Sequence, residues 1–187
     1  MRIVGGEFRG RRLAHLGKGD AGAHLRPTAD RVRESLFSML EGGRFGDPVE
    51  DAIVLDLFAG TGALGFEALS RGATSATFVD DGRVAQKLIA ENIATLALPA
   101  RARLLRCSAL RLPLAETPAT LIFCDPPYGK GLGDKALLAA RAQGWIADDA
   151  LVVWEERGPQ PAPEGFRLLE HKTYGDTVVT LLAAMAD

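Results

Sequence analysis

The chain has 187 residues, 47% of them hydrophobic and 25% charged, which fits one globular domain with a full core. No apolar run approaches the ~18 residues that cross a bilayer. Residues 1–10 are polar and glycine-rich, without the apolar centre of a secretion signal, and Cys107 and Cys124 stand apart with no ligand-like neighbours, so a cytoplasmic, monomeric protein with reduced thiols, no membrane segment and no metal is expected. The net charge of −2 conceals a split: residues 1–33 hold eight Lys and Arg against three Asp and Glu, or +5, leaving −7 for the remainder. A basic arm on an acidic body suggests a patch for a polyanion.

In chain order, residues 2–13 read as a hairpin turning at Gly5-Gly6, and residues 14–27 as a loop. Thr28 is the expected N-cap of a helix whose apolar face is Val32, Leu36, Met39 and Leu40, stopped by Gly42-Gly43. Strands are then expected at 53–58, 76–79, 101–107, 121–124 and 151–154, with helices at 64–71, 84–98 and 134–143 between them. Apolar strands alternating with helices predict a parallel sheet covered on both faces. Residues 166–172 and 177–182 flank Tyr174-Gly175-Asp176 and read as an antiparallel hairpin.

The first strand runs into Asp56-Leu57-Phe58-Ala59-Gly60-Thr61-Gly62-Ala63-Leu64-Gly65, a G-x-G-x-x-G loop at a strand-to-helix junction. Its glycines allow a tight turn and close approach of a ligand. Asp80 ends the next strand, where a carboxylate can accept hydrogen bonds from ribose hydroxyls. This pattern alone fits a nicotinamide dinucleotide as well as S-adenosylmethionine. Asp56 favours the latter, because a carboxylate beside the loop repels pyrophosphate but pairs with an ammonium group. Asp81 serves equally as a helix N-cap.

The fourth strand ends in Asp125-Pro126-Pro127-Tyr128, which the rules of open α/β sheets place opposite the glycine loop. The prolines stiffen the backbone and remove two amide donors. The Asp125 carboxylate and the Pro126 carbonyl can accept the two hydrogens of an aryl amine and turn its lone pair towards a methyl donor. Tyr128 can stack on a base. The isolated His15, His24 and His171 lack metal-ligand spacing. Trp145 and Trp154 read as packing residues, and Glu155-Glu156-Arg157 as a solvated strand end.

On these motifs the chain resembles the class I amino methyltransferases. More closely, it resembles the bacterial small-subunit ribosomal RNA guanine-N2 methyltransferases of the RsmD type. The resemblance runs through residues 2–13, 25–34, 56–73, 125–128 and 174–176. It implies an α/β class I, Rossmann-like methyltransferase fold: a seven-stranded, mostly parallel sheet with a C-terminal antiparallel hairpin and an N-terminal hairpin and helix. Residues 1–45 would form the basic extension and 46–187 the methyltransferase domain. The implied reaction transfers a methyl group from S-adenosylmethionine to N2 of a guanine in 16S rRNA, in the small subunit or its assembly intermediate, leaving S-adenosylhomocysteine. The alternative is an amino methyltransferase acting on DNA adenine or a protein glutamine.

The expected catalytic residues are Asp125, Pro126, Pro127 and Tyr128. The expected cofactor contacts are Asp56, Phe58, Ala59, Gly60, Thr61, Gly62, Gly65, Asp80, Ser108 and Ala109. Asp80 stands where the family often has glutamate, and Ser108 near where an Asp or Asn often meets adenine. RNA contacts are expected from Arg9, Arg11, Arg12, Arg26, Thr28 and Arg31, with Arg33 beside them; Arg9 and Arg11 would share one strand face.

Overall fold

A computed structural model describes residues 1–15 and 30–186. Its elements are α1 (Asp30–Leu40), β1 (Ile53–Leu57), α2 (Ala63–Ser70), β2 (Ser75–Val79), α3 (Arg83–Thr95), β3 (Ala102–Leu105), β4 (Ala119–Cys124), α4 (Gly133–Ala142), β5 (Ile146–Glu156), β6 (Phe166–Tyr174) and β7 (Thr177–Ala184). They build the expected seven-stranded sheet, in the order β3-β2-β1-β4-β5-β7-β6. The pairs from β3 to β5 are parallel, and β7 is antiparallel to both β5 and β6.

The inner strands β1, β4 and β7 are mostly apolar on both faces because both faces are buried, whereas the edge strand β6 is largely exposed. On one face, Phe78 and Phe123 of the sheet pack with Phe37 of α1, Phe66 of α2 and Ile89 of α3; on the other, Ile122 and Trp154 pack with Leu137 of α4. The chain runs outward from β1 through β2 to β3, then returns to place β4 on the other side of β1. This reversal opens a crevice at the carboxyl ends of β1 and β4. β5 begins earlier than expected because a register shift between Ala119 and Leu121 admits Ile146 to the sheet.

The N-terminal hairpin is looser than expected. Arg2 and Arg12 form a single antiparallel bridge, and residues 5–10 form a broad turn in place of a Gly5-Gly6 turn. The reason is docking. Glu7 N and Phe8 N donate to Ser70 O (2.6 Å) and Ser70 Oγ (2.8 Å), so the arm covers backbone acceptors at the end of α2. Gly6 has φ +72°, and a Cβ there would lie 1.8 Å from the Ser70 carbonyl oxygen.

The expected N-cap Thr28 lies outside the described residues. The buried face of α1 is Arg33, Leu36, Phe37 and Leu40, with Val32 and Met39 at its margins, so the expected apolar stripe is rotated to include a cation. Arg33 is inside because Glu67 of α2 is inside. Both are fully buried, with Arg33 Nε 3.3 Å from Glu67 Oε2. Glu67 also accepts Val4 N (2.9 Å), Gly5 N (2.8 Å) and Arg71 Nε (2.8 Å). Arg33 donates further to Asp30 Oδ1 (3.0 Å) and to the Arg2 carbonyl. Removing one partner leaves buried charge uncompensated, so Glu67→Ala should cost about 3–5 kcal/mol of unfolding free energy. Urea denaturation checks this; a loss below about 1 kcal/mol would show that the cluster does not hold the arm.

Candidate active site

The loop after β1 is built on left-handed backbone at Phe58 (φ 58°), Gly60 (58°) and Gly62 (76°). Asp80 ties it to the loop after β2: Oδ2 accepts Gly60 N (2.9 Å) and Oδ1 accepts Gly82 N (2.8 Å). Each oxygen keeps a second lone pair, so Asp80 can hold the loop and still accept ribose hydroxyls. Ala59 N donates to Val79 O (3.0 Å), and Asn92 Nδ2 donates to Thr61 O (3.2 Å). Gly65 is required by packing, since a Cβ there would lie 2.4 Å from the Phe78 ring and 3.0 Å from Asp56 Oδ2. Asp56 Oδ2 accepts Gly65 N at 3.0 Å. Burial raises the Asp56 pKa well above the ordinary carboxylate value; the Gly65 amide opposes the shift, and Asp125 and Asp80 add to it.

Ser108 and Ala109 follow β3 at the same edge of the sheet. Ser108 Oγ accepts Leu110 N (3.3 Å), which makes a local turn, and Ala109 is buried.

Asp125 follows β4 directly, and its amide donates to Leu57 O (3.4 Å) at the root of the glycine loop. The Asp-Pro-Pro-Tyr segment and the loop therefore meet at the crevice. Pro126 is buried and Pro127 exposed. Burial lifts the Asp125 pKa well above the ordinary value, and the charges of Glu155 and Glu156 lift it further. The Tyr128 hydroxyl is 3.1 Å from Thr177 Oγ1 at the start of β7, and the ring is half-buried.

Two residues that sequence reasoning set aside belong to this site. Glu155 and Glu156 are 4% and 7% exposed, not a solvated strand end. They are covered because β7 pairs alongside β5, matching Glu155 with Val179 and Glu156 with Val178. Glu156 Oε1 accepts Gly129 N (3.2 Å) and Arg157 N (3.0 Å). Glu155 Oε1 is buried with no hydrogen-bond partner among the described residues. Burial, then the Asp56 charge, pushes its pKa up to about 7. Two acids closing an apolar strand at the ligand edge of an α/β sheet were the available signal.

Comparison with known proteins supplies the relationship. Residues 1–183 match the model of the family described as Conserved hypothetical protein 95. The chain belongs to this family. It is 38% identical over 185 residues to Ribosomal RNA small subunit methyltransferase D of Escherichia coli strain K12, covering 97% of this chain and 88% of the relative. The Haemophilus influenzae protein of the same name is 34% identical over 181 residues, covering 94% and 89%. A solved structure of the Escherichia coli protein yhhF superposes with a TM-score of 0.83 at 37% identity, covering 100% and 99%. The RsmD-type resemblance read from the motifs is borne out.

On the arm of this family member, Arg9, Arg11, Arg12 and Arg31 are exposed and make no ion pair with a described residue. Arg9 lies in the turn, its amide donating to Gly6 O (3.2 Å), so it does not share a strand face with Arg11. Arg33 is interior and cannot serve as an RNA contact. Arg26 lies outside the described residues, as Thr28 does. Trp145 and Trp154 are buried packing residues, as expected.

Glu155 makes a pH prediction. Its folded pKa of about 7 exceeds its ordinary value of 4.5, so the folded state holds the extra proton across that window and stability falls as pH rises through it. Glu155→Gln should flatten the slope and be the more stable protein above pH 7, by roughly 1–3 kcal/mol. Denaturant unfolding across pH tests this; parallel curves for the two proteins would reject it.

Proposed function

We propose that the protein transfers a methyl group from S-adenosylmethionine to the exocyclic N2 of a guanine in 16S ribosomal RNA. The carrying observation is the meeting of Asp125 with Asp56 and the glycine loop at the carboxyl ends of β1, β4 and β5, where the half-buried Asp125 joins the buried carboxyls of Asp56 and Glu155. Such a site suits a ligand bearing sulfonium and ammonium charges better than a pyrophosphate. The names of the relatives, which specify small-subunit ribosomal RNA methyltransferases, support the substrate class.

The cofactor supplies an activated methyl group and departs as the neutral thioether S-adenosylhomocysteine. The chain's residues do the rest. Asp80 accepts the ribose hydroxyls, and Phe58, Ala59, Gly60, Thr61, Gly62 and Gly65 shape the wall beside them. Ser108 and Ala109 line the adenine end. Asp56 neutralises the ammonium group through the Gly65 turn. Asp125 and the Pro126 carbonyl hold the two amine hydrogens, so the nitrogen lone pair faces the methyl carbon. Asp125 would accept the proton that the amine gives up on methylation, and its raised pKa suits it to this. Pro127 stiffens the segment, and Tyr128, fixed at its hydroxyl, packs its ring on the base. Residues 1–45 act as an RNA-binding extension of a 46–187 methyltransferase domain. The protein works as a cytoplasmic monomer on the small subunit or its assembly intermediate.

Incubation of the full chain with labelled S-adenosylmethionine and small-subunit RNA should place the label on N2 of one guanine. Label on an adenine or on protein would overturn the reading. Asp125→Ala should lower single-turnover transfer at least about 100-fold while cofactor affinity by calorimetry stays nearly unchanged. Near-normal transfer would remove Asp125 from the mechanism.

Arg9, Arg11, Arg12 and Arg31, with Arg26 and Thr28, supply phosphate contacts, which position the RNA without reading its sequence. Each contact removed by Arg9→Ala or Arg11→Ala should lower the slope of log affinity against log salt by ~0.7–0.9. An unchanged slope with an intact fold would move the RNA surface elsewhere.

A further inference from the structure

Asp56 of β1 pairs in register with Phe123 of β4, and Phe123 with Val153 of β5. Partners in a parallel sheet point to one face, and side chains alternate along each strand. Two residues beyond Phe123 and Val153 are Asp125 and Glu155, so the three carboxyls share a face and Glu155 stands beside Asp125. Glu156 points to the opposite face, towards Gly129. Burial is the main cause of the raised pKa values of Asp125 and Glu155, and the carboxyls add to it: the Asp56 charge raises Glu155, and the Glu155 charge raises Asp125. Glu155 is 4% exposed, and its Oε1 has no hydrogen-bond partner among the described residues. An orphaned buried carboxyl oxygen is costly unless a ligand completes it.

Building on the guanine reading above, we infer that Glu155 is the specificity-determining carboxyl of the substrate pocket, accepting the ring N1–H of the target guanine while Asp125 accepts its exocyclic N2–H. Guanine presents these two donors side by side. Adenine and cytosine present a ring nitrogen lone pair beside their amino group, and a carboxylate facing that lone pair repels it. Asp125 alone recognises an amine; Asp125 with Glu155 recognises an amine next to a ring N–H. A site built to hydrogen-bond such a group rejects analogues that lack it far better than a shape-matched apolar pocket does.

The test uses the full chain and two RNAs, one with guanine and one with 2-aminopurine at the mapped position. 2-Aminopurine keeps the amino group but has no N1–H. The wild-type protein should methylate the 2-aminopurine RNA with kcat/KM lower by about 10–100-fold, the weight of one charge-assisted hydrogen bond. Glu155→Gln should lose about the same factor on guanine, change little on 2-aminopurine, and bind S-adenosylmethionine within about twofold of wild type. A variant that is more stable yet less active on guanine alone is not explained by a structural role. Equal wild-type rates on the two RNAs, equal losses on both in the variant, or a matching loss of cofactor affinity would each overturn the inference while N2-methylguanine remains the product. A mapped product other than N2-methylguanine would overturn the guanine reading itself, and this inference with it.

Discussion

The buried carboxylate of Glu67 is the point on which the N-terminal half of the molecule turns. Removing a carboxylate from water costs several kcal/mol unless its lone pairs are filled. Here four donors fill them: the amides of Val4 and Gly5 and the guanidinium groups of Arg33 and Arg71. Arg71 continues outward to Glu41 (2.7 Å) and lies over the Phe37 ring at 5.1 Å. One side chain thus binds the arm, α1 and the segment after α1 to α2. Because α2 begins at the glycine loop, the same contact sets the basic arm at a fixed position relative to the crevice.

The carboxyls of the crevice are handled in the opposite way. Glu67 is saturated with donors, whereas Glu155 keeps an orphaned oxygen and faces other acids. Burial raises the pKa values of Asp56, Asp125 and Glu155, and only the Gly65 amide on Asp56 opposes it. Such a cluster lowers the stability of the free protein at neutral pH and is relieved by positive charge or by hydrogen-bond donors. The contrast separates a carboxylate that holds the fold from the carboxyls that we propose meet a ligand.

The C-terminal hairpin makes this possible. By inserting β7 between β5 and β6, it covers the end of β5 and takes Glu155 and Glu156 out of solvent. Thr177, the first residue of β7, holds the Tyr128 hydroxyl, and Tyr174, the last of β6, reaches Met39 Sδ of α1 (3.8 Å). The antiparallel pair at the edge of a parallel sheet is therefore a wall of the proposed substrate pocket as well as a cover for the sheet.

Much was legible in the sequence because it depends on local rules. Apolar runs of β-branched and aliphatic residues marked the strands, helical periodicity marked the helices between them, and the Gly60, Gly62 and Gly65 spacing marked the tight turn that Asp80 holds. Asp125 to Tyr128 suggested the proposed chemistry because proline removes donors wherever it sits. The broad turn at 5–10, the interior position of Arg33 and the burial of Glu155 were not legible, since each depends on a partner distant in sequence. Gly5 docks because Ser70 and Glu67 offer hydrogen-bonding partners, and Arg33 turns inward because Glu67 is there. Glu155 is buried because β7 returns antiparallel beside it. Charge pattern alone assigns such residues to solvent, where isolated charges are cheapest. Only the tertiary structure decided which charges meet a partner, which are buried without one and which stay exposed on the arm, because the cost of a buried charge is set by neighbours that the fold, not the local sequence, brings together.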